Sequence, residues 1–172
     1  EEERVLEGGT NPTTIFGYDS YGNNINVTDA NGKLSKQTFG LRDTTFTFPD
    51  QEINAKEHTT NNWFDLGTGN ILSIEDPNRF ITNFTYDQFG RISKEIQPLD
   101  TETHPTKNYT YYLDGIAPEV TRAQQREQNE TTNTFDTYTA QDGLDNTIQI
   151  KTDGENGSSH YEKCWNRRSY KI

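Results

Sequence analysis

The chain of 172 residues has no methionine and one cysteine, Cys164. A single thiol cannot close an internal disulfide, which excludes a disulfide-stapled extracellular module. Hydrophobic residues supply 28% of the chain. No apolar run approaches the roughly 18 residues that a membrane-spanning helix needs. Positive charge is also scarce. Sixteen Lys and Arg stand against 27 Asp and Glu, giving a net charge of −11 and a pI near 4.6. Such a balance speaks against a nucleic-acid partner, because it cannot neutralise phosphates along a groove. The one basic cluster, Arg167-Arg168 near Lys163 and Lys171, reads as solvated surface. No secretory signal opens the sequence, which starts Glu1-Glu2-Glu3. With no Met anywhere, it is expected to be an excerpt of a longer chain, any address signal lying outside it.

A polar, strongly charged chain invites disorder. Two features oppose that. Aromatic residues make up 12% of the chain, as nine Tyr, nine Phe and two Trp. They also fall in alternating runs, such as Phe84-Thr85-Tyr86 and Phe46-Thr47-Phe48, that suit a pleated surface wet on one side. The expectation is a folded chain whose thin core is spread over a large area.

An aromatic-Asp pair recurs at Tyr18-Asp19, Phe64-Asp65, Tyr86-Asp87 and Phe135-Asp136, with looser copies at Tyr112-Leu113-Asp114 and Tyr161-Glu162. The intervals from residue 18 onward are 46, 22, 26, 23 and 26 residues, the first being two units with a degenerate copy expected near Leu41-Arg42-Asp43. A unit of 22 to 26 residues explains the spacing. Each unit repeats a grammar. The pair runs into a glycine turn, as in Tyr18-Asp19-Ser20-Tyr21-Gly22, Phe64-Asp65-Leu66-Gly67-Thr68-Gly69 and Tyr86-Asp87-Gln88-Phe89-Gly90. An alternating stretch follows, such as Arg91-Ile92-Ser93-Lys94-Glu95-Ile96. A second turn then comes at Asp29-Ala30-Asn31-Gly32, Asp76-Pro77-Asn78 or Pro98-Leu99-Asp100.

Alternation is the strand period. The Asp carboxylate can cap turn amides two residues on, and Gly accepts the positive φ that other residues resist. Each unit is therefore predicted to be one β-hairpin. A lone hairpin is marginal in water, so hairpins must pair edge to edge in a continuous antiparallel sheet. Residues from Pro118 through Glu127 have helix-favouring composition but no apolar stripe, and read as a polar strand.

Candidates for chemistry are weak. Carboxylates are so abundant that spacing nominates no acid/base pair, and Asp87 and Glu95 read as a turn cap and an exposed strand residue. His58, His104 and His160 lie far apart without a nearby cysteine ligand, so no metal site is expected. Cys164, beside Trp165, lacks a catalytic signature. Asp29-Ala30-Asn31-Gly32 and Asp153-Gly154-Glu155-Asn156-Gly157 resemble calcium loops but lack the terminal bidentate Glu, and read as tight turns. Asn-x-Ser/Thr sequons at Asn26, Asn83, Asn108, Asn129 and Asn156 are weak signals in so Asn- and Thr-rich a chain. No cofactor is expected.

Tyr86-Asp87-Gln88-Phe89-Gly90-Arg91-Ile92 resembles the Tyr-Asp-x-x-Gly-Arg-Leu core of the YD-repeat, or RHS, family. Tyr18-Asp19-Ser20-Tyr21-Gly22-Asn23 and Phe64-Asp65 through Ile71 are further copies. Gln141-Asp142-Gly143-Leu144-Asp145-Asn146-Thr147-Ile148-Gln149-Ile150-Lys151 is similar to the Asp-Gly-Leu-Gly-Arg-x-x-Gln-x-Lys segment of insecticidal toxin-complex B components and virulence-plasmid B-type proteins. Here Asp145-Asn146 replace Gly-Arg, a departure that bears on the local turn.

The resemblance implies an all-β segment of an RHS shell, in which tandem hairpins spiral around a toxic cargo polypeptide. It implies a secreted bacterial protein that is not an enzyme, partnered by that cargo and by other toxin-complex subunits. The expected organisation is a lead-in over residues 1–13, about six repeats over 14–163 and a tail over 164–172. The rival expectation is an adhesion or carbohydrate-binding module, with Trp63, Tyr111 and Tyr112 stacking on a glycan.

Overall fold

The computed structural model describes residues 2–3, 11–113, 115, 117–128, 133–153 and 159–162, with residues 2–3, 153 and 159–162 described as backbone only. The expected tail, Cys164 and the sequons at Asn129 and Asn156 lie outside the described residues.

Every regular element among the described residues is a β-strand. In chain order these are β1 (Glu2–Glu3), β2 (Thr13–Tyr18), β3 (Asn24–Thr28), β4 (Leu34–Phe39), β5 (Pro49–Ile53), β6 (Thr59–Phe64), β7 (Ile71–Glu75), β8 (Ile81–Tyr86), β9 (Ile92–Ile96), β10 (Lys107–Tyr112), β11 (Glu119–Arg126), β12 (Thr134–Gln141), β13 (Thr147–Asp153) and β14 (Ser159–Glu162). The pairing is antiparallel and follows chain order. This is the tandem-hairpin architecture that the alternation calls for. The polar stretch after Pro118 is strand, as its lack of an apolar stripe requires.

The chain divides into two compact units, residues 1–83 and 84–172, the division falling inside β8. In the first unit the ladder runs through Asn26↔Lys36, Lys36↔Ile53, Ile53↔Thr59 and Asn61↔Glu75. In the second, β10 to β13 form the longest ladder, with Arg122 opposite both Thr110 and Tyr138, and Tyr138 opposite Lys151.

A register shift recurs at the last residue before a reversal. Gly17 pairs with Asn26 but Tyr18 with Asn24; Trp63 pairs with Ser73 but Phe64 with Ile71; Ala140 pairs with Gln149 but Gln141 with Thr147. One residue is left over each time, Ile25, Leu72 or Ile148, which is the count of a β-bulge. The bulge re-aims the residue before the turn and is part of the repeat.

There is little core. Among the described hydrophobic residues Ile96 alone is buried, and the other residues buried as a whole are polar: Asp50, Asn62 and Asp136. Cohesion comes instead from ladder hydrogen bonds and from side chains laid across neighbouring strands. Tyr21 stacks on Phe46 with ring centroids 4.7 Å apart, and Phe48 on Phe64 at 4.9 Å. Pairs of this kind contribute about 0.5–1.5 kcal/mol beyond area burial.

One expected turn is placed differently. Phe135-Asp136 lies inside β12, not at a reversal, and Asp136 is buried against Arg122 of β11. Asp136 has Thr139 three residues on, so the position that needs positive φ has no Gly or Asx. The expected turns at Leu41-Arg42-Asp43 and Pro98-Leu99-Asp100 are formed, but inside longer connections, residues 40–48 and 97–106. Asp43 Oδ1 accepts the Thr45 and Phe46 amides at 2.6 and 3.2 Å, and the Asp100 amide donates to the Gln97 carbonyl at 3.1 Å. Each connection is tied down by a buried carboxylate. Asp50 accepts the Leu41 amide at 2.7 Å, and Asp100 accepts Arg126 Nη1 at 3.0 Å and the Thr106 hydroxyl at 2.5 Å.

Candidate functional site

The residues that recur are the turn residues. At Asp19 the carboxylate Oδ1 accepts the amides of Tyr21 at 2.8 Å and Asn23 at 2.9 Å, while the Gly22 amide donates to the Asp19 carbonyl at 3.2 Å. Asp87 repeats the pattern with Phe89 at 2.9 Å, Arg91 at 3.0 Å and the Gly90 amide at 3.0 Å. Asp142 does so with Leu144 at 2.9 Å and Asn146 at 3.0 Å. The fourth residue of each turn has positive φ: 89° at Gly22, 77° at Gly90 and 65° at Asp145. This is a type I turn closed by a left-handed residue, which suits the twist of the flanking strands.

Asp145 thus fills the place where the resembled family has glycine. An Asp tolerates the left-handed region better than most residues, and the turn keeps its hydrogen bonds. Gly143 sits at the second position of that turn. Gln149 is exposed on β13, opposite Ala140. The Phe64-Asp65 turn is one residue longer. Asp65 Oδ1 accepts Gly67 and Thr68, both at 2.9 Å, and Gly69 takes a φ of 77°.

The fifth turn position carries a clamp. The second carboxylate oxygen accepts the Asn23 side-chain amide at 3.1 Å on Asp19, Arg91 Nε at 2.7 Å on Asp87 and the Asn146 side-chain amide at 3.1 Å on Asp142. Two clamps also reach sideways. Asn23 Nδ2 donates to the Phe46 carbonyl at 2.8 Å, and the Arg91 guanidinium lies 4.2 Å from the centre of the Tyr111 ring. The signature aromatics Tyr18, Phe64 and Tyr86 end their strands one residue before the Asp. Burial raises the Tyr86 hydroxyl above its ordinary pKa of 10.0.

These contacts set the carboxylate pKa values. The Thr68 amide and hydroxyl and the Gly67 amide hold Asp65 below its ordinary 3.8. Asn146, through side chain and backbone, and then the Leu144 amide do the same for Asp142. At Asp87 desolvation pulls upward, but Arg91 and the Phe89 amide outweigh it and the net shift is downward.

The other half of the turns carries the same cap without the aromatic. Asp29, Asn54 and Asp76 accept the amides of Asn31, Lys56 and Asn78, each at 2.8 Å. Asn54 was not singled out from sequence. The residue three places on is Glu57, with a φ of 64°, so no glycine advertises the turn. With Asn54 included, capped turns fall at 54, 65, 76 and 87, a constant interval of eleven residues. That interval is one strand plus one turn, and a search for Asx at that spacing would have found it.

The side chains of the other constellations are engaged as follows. Asp29 spends its carboxylate on Asn31 and Lys33 amides, both at 2.8 Å. Glu95 is paired with Lys107 at 2.9 Å. Among the described residues no three His, Cys, Asp or Glu side chains gather as a metal site. His58 lies in the β5–β6 turn and His104 in the β9–β10 connection. Trp63 lies under the Arg42 guanidinium at 4.3 Å, and the Tyr111 hydroxyl donates to the Ile92 carbonyl at 2.8 Å, whereas Tyr112 is half exposed.

The arrangement therefore defines an all-β protein of tandem, Asx-capped hairpins. Its fold is similar to that of a toxin-complex protein, solved as the crystal structure of TcdB2-TccC3, with a TM-score of 0.64, 12% identity, and coverage of 92% of this chain and 10% of that one. This chain thus spans about a tenth of the length of that neighbour, and the likeness is one of fold. No family model and no curated protein matches the sequence.

Proposed function

We propose that this chain is a non-catalytic wall segment of an RHS-type shell in a secreted toxin, enclosing and protecting a toxic cargo polypeptide. The observation that carries the reading is a meander in which, among the described residues, Ile96 is the one buried apolar residue and the recurrent residues are spent on turns and lateral ties. A sheet held together this way does not need a second packed layer beneath it, so both faces can stay wet. A wall around an unfolded polypeptide has that requirement, because an apolar lining would trap the cargo. The likeness to TcdB2-TccC3 supports the same reading at the level of fold.

The test is protection. The full-length gene product is co-expressed with the polypeptide encoded beside it, and the mixture is treated with protease. The reading expects the cargo to survive while the shell is intact and to be digested once the shell is opened by acid or denaturant. Digestion at the same rate with and without the shell protein would overturn it.

Of Trp63, Tyr111 and Tyr112, the aromatics of the carbohydrate-binding alternative, Tyr112 is the open one, at 52% exposed. Glycan-array binding abolished by Tyr112→Ala would favour it.

A further inference from the structure

We propose that the groove under the β9–β10 connection is a binding site for an oxyanion, a carboxylate or phosphate group on a small ligand. Nothing in the shell reading requires it. The reversal between β9 and β10 takes ten residues, 97–106, where capped turns elsewhere take five or six. Long ordered connections of this kind commonly carry function. This one is folded rigidly: Asp100 and Arg126 form an ion pair at 3.0 Å with side chains 1% and 6% exposed, and the Thr106 hydroxyl bonds both Asp100 and the Gln97 amide.

The connection walls a groove of about 370 Å³ whose floor is the sheet. The floor residues share one face by register, because Asn108 is opposite both Lys94 and Gln124, and Arg126 is opposite Thr134. The lining includes Lys94, His104 and Arg126 against a single acid, Glu102. Arg126 is ion-paired with Asp100 behind the groove, so Lys94 is the cation of the lining whose acid partner is exposed. Arg126 also lines the groove, with Nη1 held on Asp100 at 3.0 Å. Asn108 and Gln124 add neutral donors, linked to each other at 3.4 Å.

Glu102 sits where a ligand would. Lys94 Nζ donates to the Glu102 backbone carbonyl at 3.0 Å and lies 3.9 Å from its carboxylate, which is 75% exposed. An exposed pair at that distance is weak and displaceable. The side chain is thus a resident competitor for the lysine, and an incoming oxyanion takes its place between Lys94 and Arg126.

The purified chain is titrated by calorimetry with inorganic phosphate and, separately, with glutarate, at low ionic strength. Saturable binding of either is expected, and which of the two binds assigns the group as phosphate or carboxylate. Glu102→Gln removes the competitor and should tighten binding several-fold. Lys94→Ala should weaken it about tenfold, the equivalent of ~1.4 kcal/mol. Both positions are surface side chains, and unchanged circular dichroism checks that the variants fold. No saturable heat with either anion in the wild-type chain and Glu102→Gln, or affinity unmoved by Lys94→Ala, would overturn the proposal.

Discussion

Asp87 and Arg91 hold each other twice across a single reversal: Arg91 Nε donates to Asp87 Oδ2 at 2.7 Å, and the Arg91 amide donates to Asp87 Oδ1 at 3.0 Å. The same guanidinium then lies against Tyr111 of β10. Turn closure and strand-to-strand cohesion therefore share one side chain. Arg91→Lys keeps the charge but cannot provide the planar stack or the fork. It is expected to lower the thermal midpoint by roughly 2–4 °C, and Arg91→Ala by more. If calorimetry shows Arg91→Lys to be as stable as the wild type, the guanidinium plane has no special role.

The depressed carboxylates make stability depend on pH in a defined direction. Asp65 and Asp142 have folded pKa values below their ordinary 3.8. Their contribution is complete above that value and is lost as pH falls below it through the folded pKa. Acid unfolding should therefore set in below about pH 4. Asp142→Asn retains an acceptor for the Leu144 and Asn146 amides but has no proton to gain, so it should flatten the acid limb in a chemical-denaturation series. An unchanged acid limb would remove Asp142 from the account.

Gly40 has a φ of 76°, and a Cβ there would come within 2.3 Å of the Phe46 ring. Gly40→Ala is expected to cost about 1–3 kcal/mol, from left-handed strain and from displacing the Tyr21–Phe46 stack. Adding Phe46→Ala removes the steric part, so a urea double-mutant cycle should show clear coupling. Strict additivity would mean that backbone strain alone is responsible.

Arg122 places both Nε and Nη2 on Asp136 Oδ2, at 3.0 and 2.5 Å, and leaves Oδ1 buried without a hydrogen-bond partner. Removing the cation alone strands a carboxylate. Arg122→Met should destabilise by about 1–3 kcal/mol, a value reduced because the arginine keeps some solvent contact. The double variant Arg122→Met with Asp136→Leu should recover most of the loss. Failure of that recovery in equilibrium unfolding would show that the arginine acts mainly through packing on Tyr138.

Much of the fold was legible because turn chemistry is local. Tyr18-Asp19, Phe64-Asp65 and Tyr86-Asp87 mark reversals, each with a glycine three or four residues beyond the Asp at positive φ. Asp29 and Asp76 mark the reversals between them. The same dipeptide misled at Phe135-Asp136, because a sequence does not state whether an Asp caps amides or pairs with an arginine on the next strand. The bulges at Ile25, Leu72 and Ile148 were invisible, since alternation survives one extra residue at a strand end. The groove beneath residues 97–106 was hidden for another reason. Lys94, Arg126 and His104 come from separate segments, and only the register of β9 to β12 brings them to one face.

Because each ladder among the described residues joins strands adjacent in sequence, none of these pairings has to wait for a distant part of the chain to be made. The entropy of loop closure stays small at every step, and formation from local contacts is fast. A chain of this kind can zip up hairpin by hairpin as it leaves the ribosome, each new β-turn docking on the edge just completed. Its order of assembly is then the order of its synthesis.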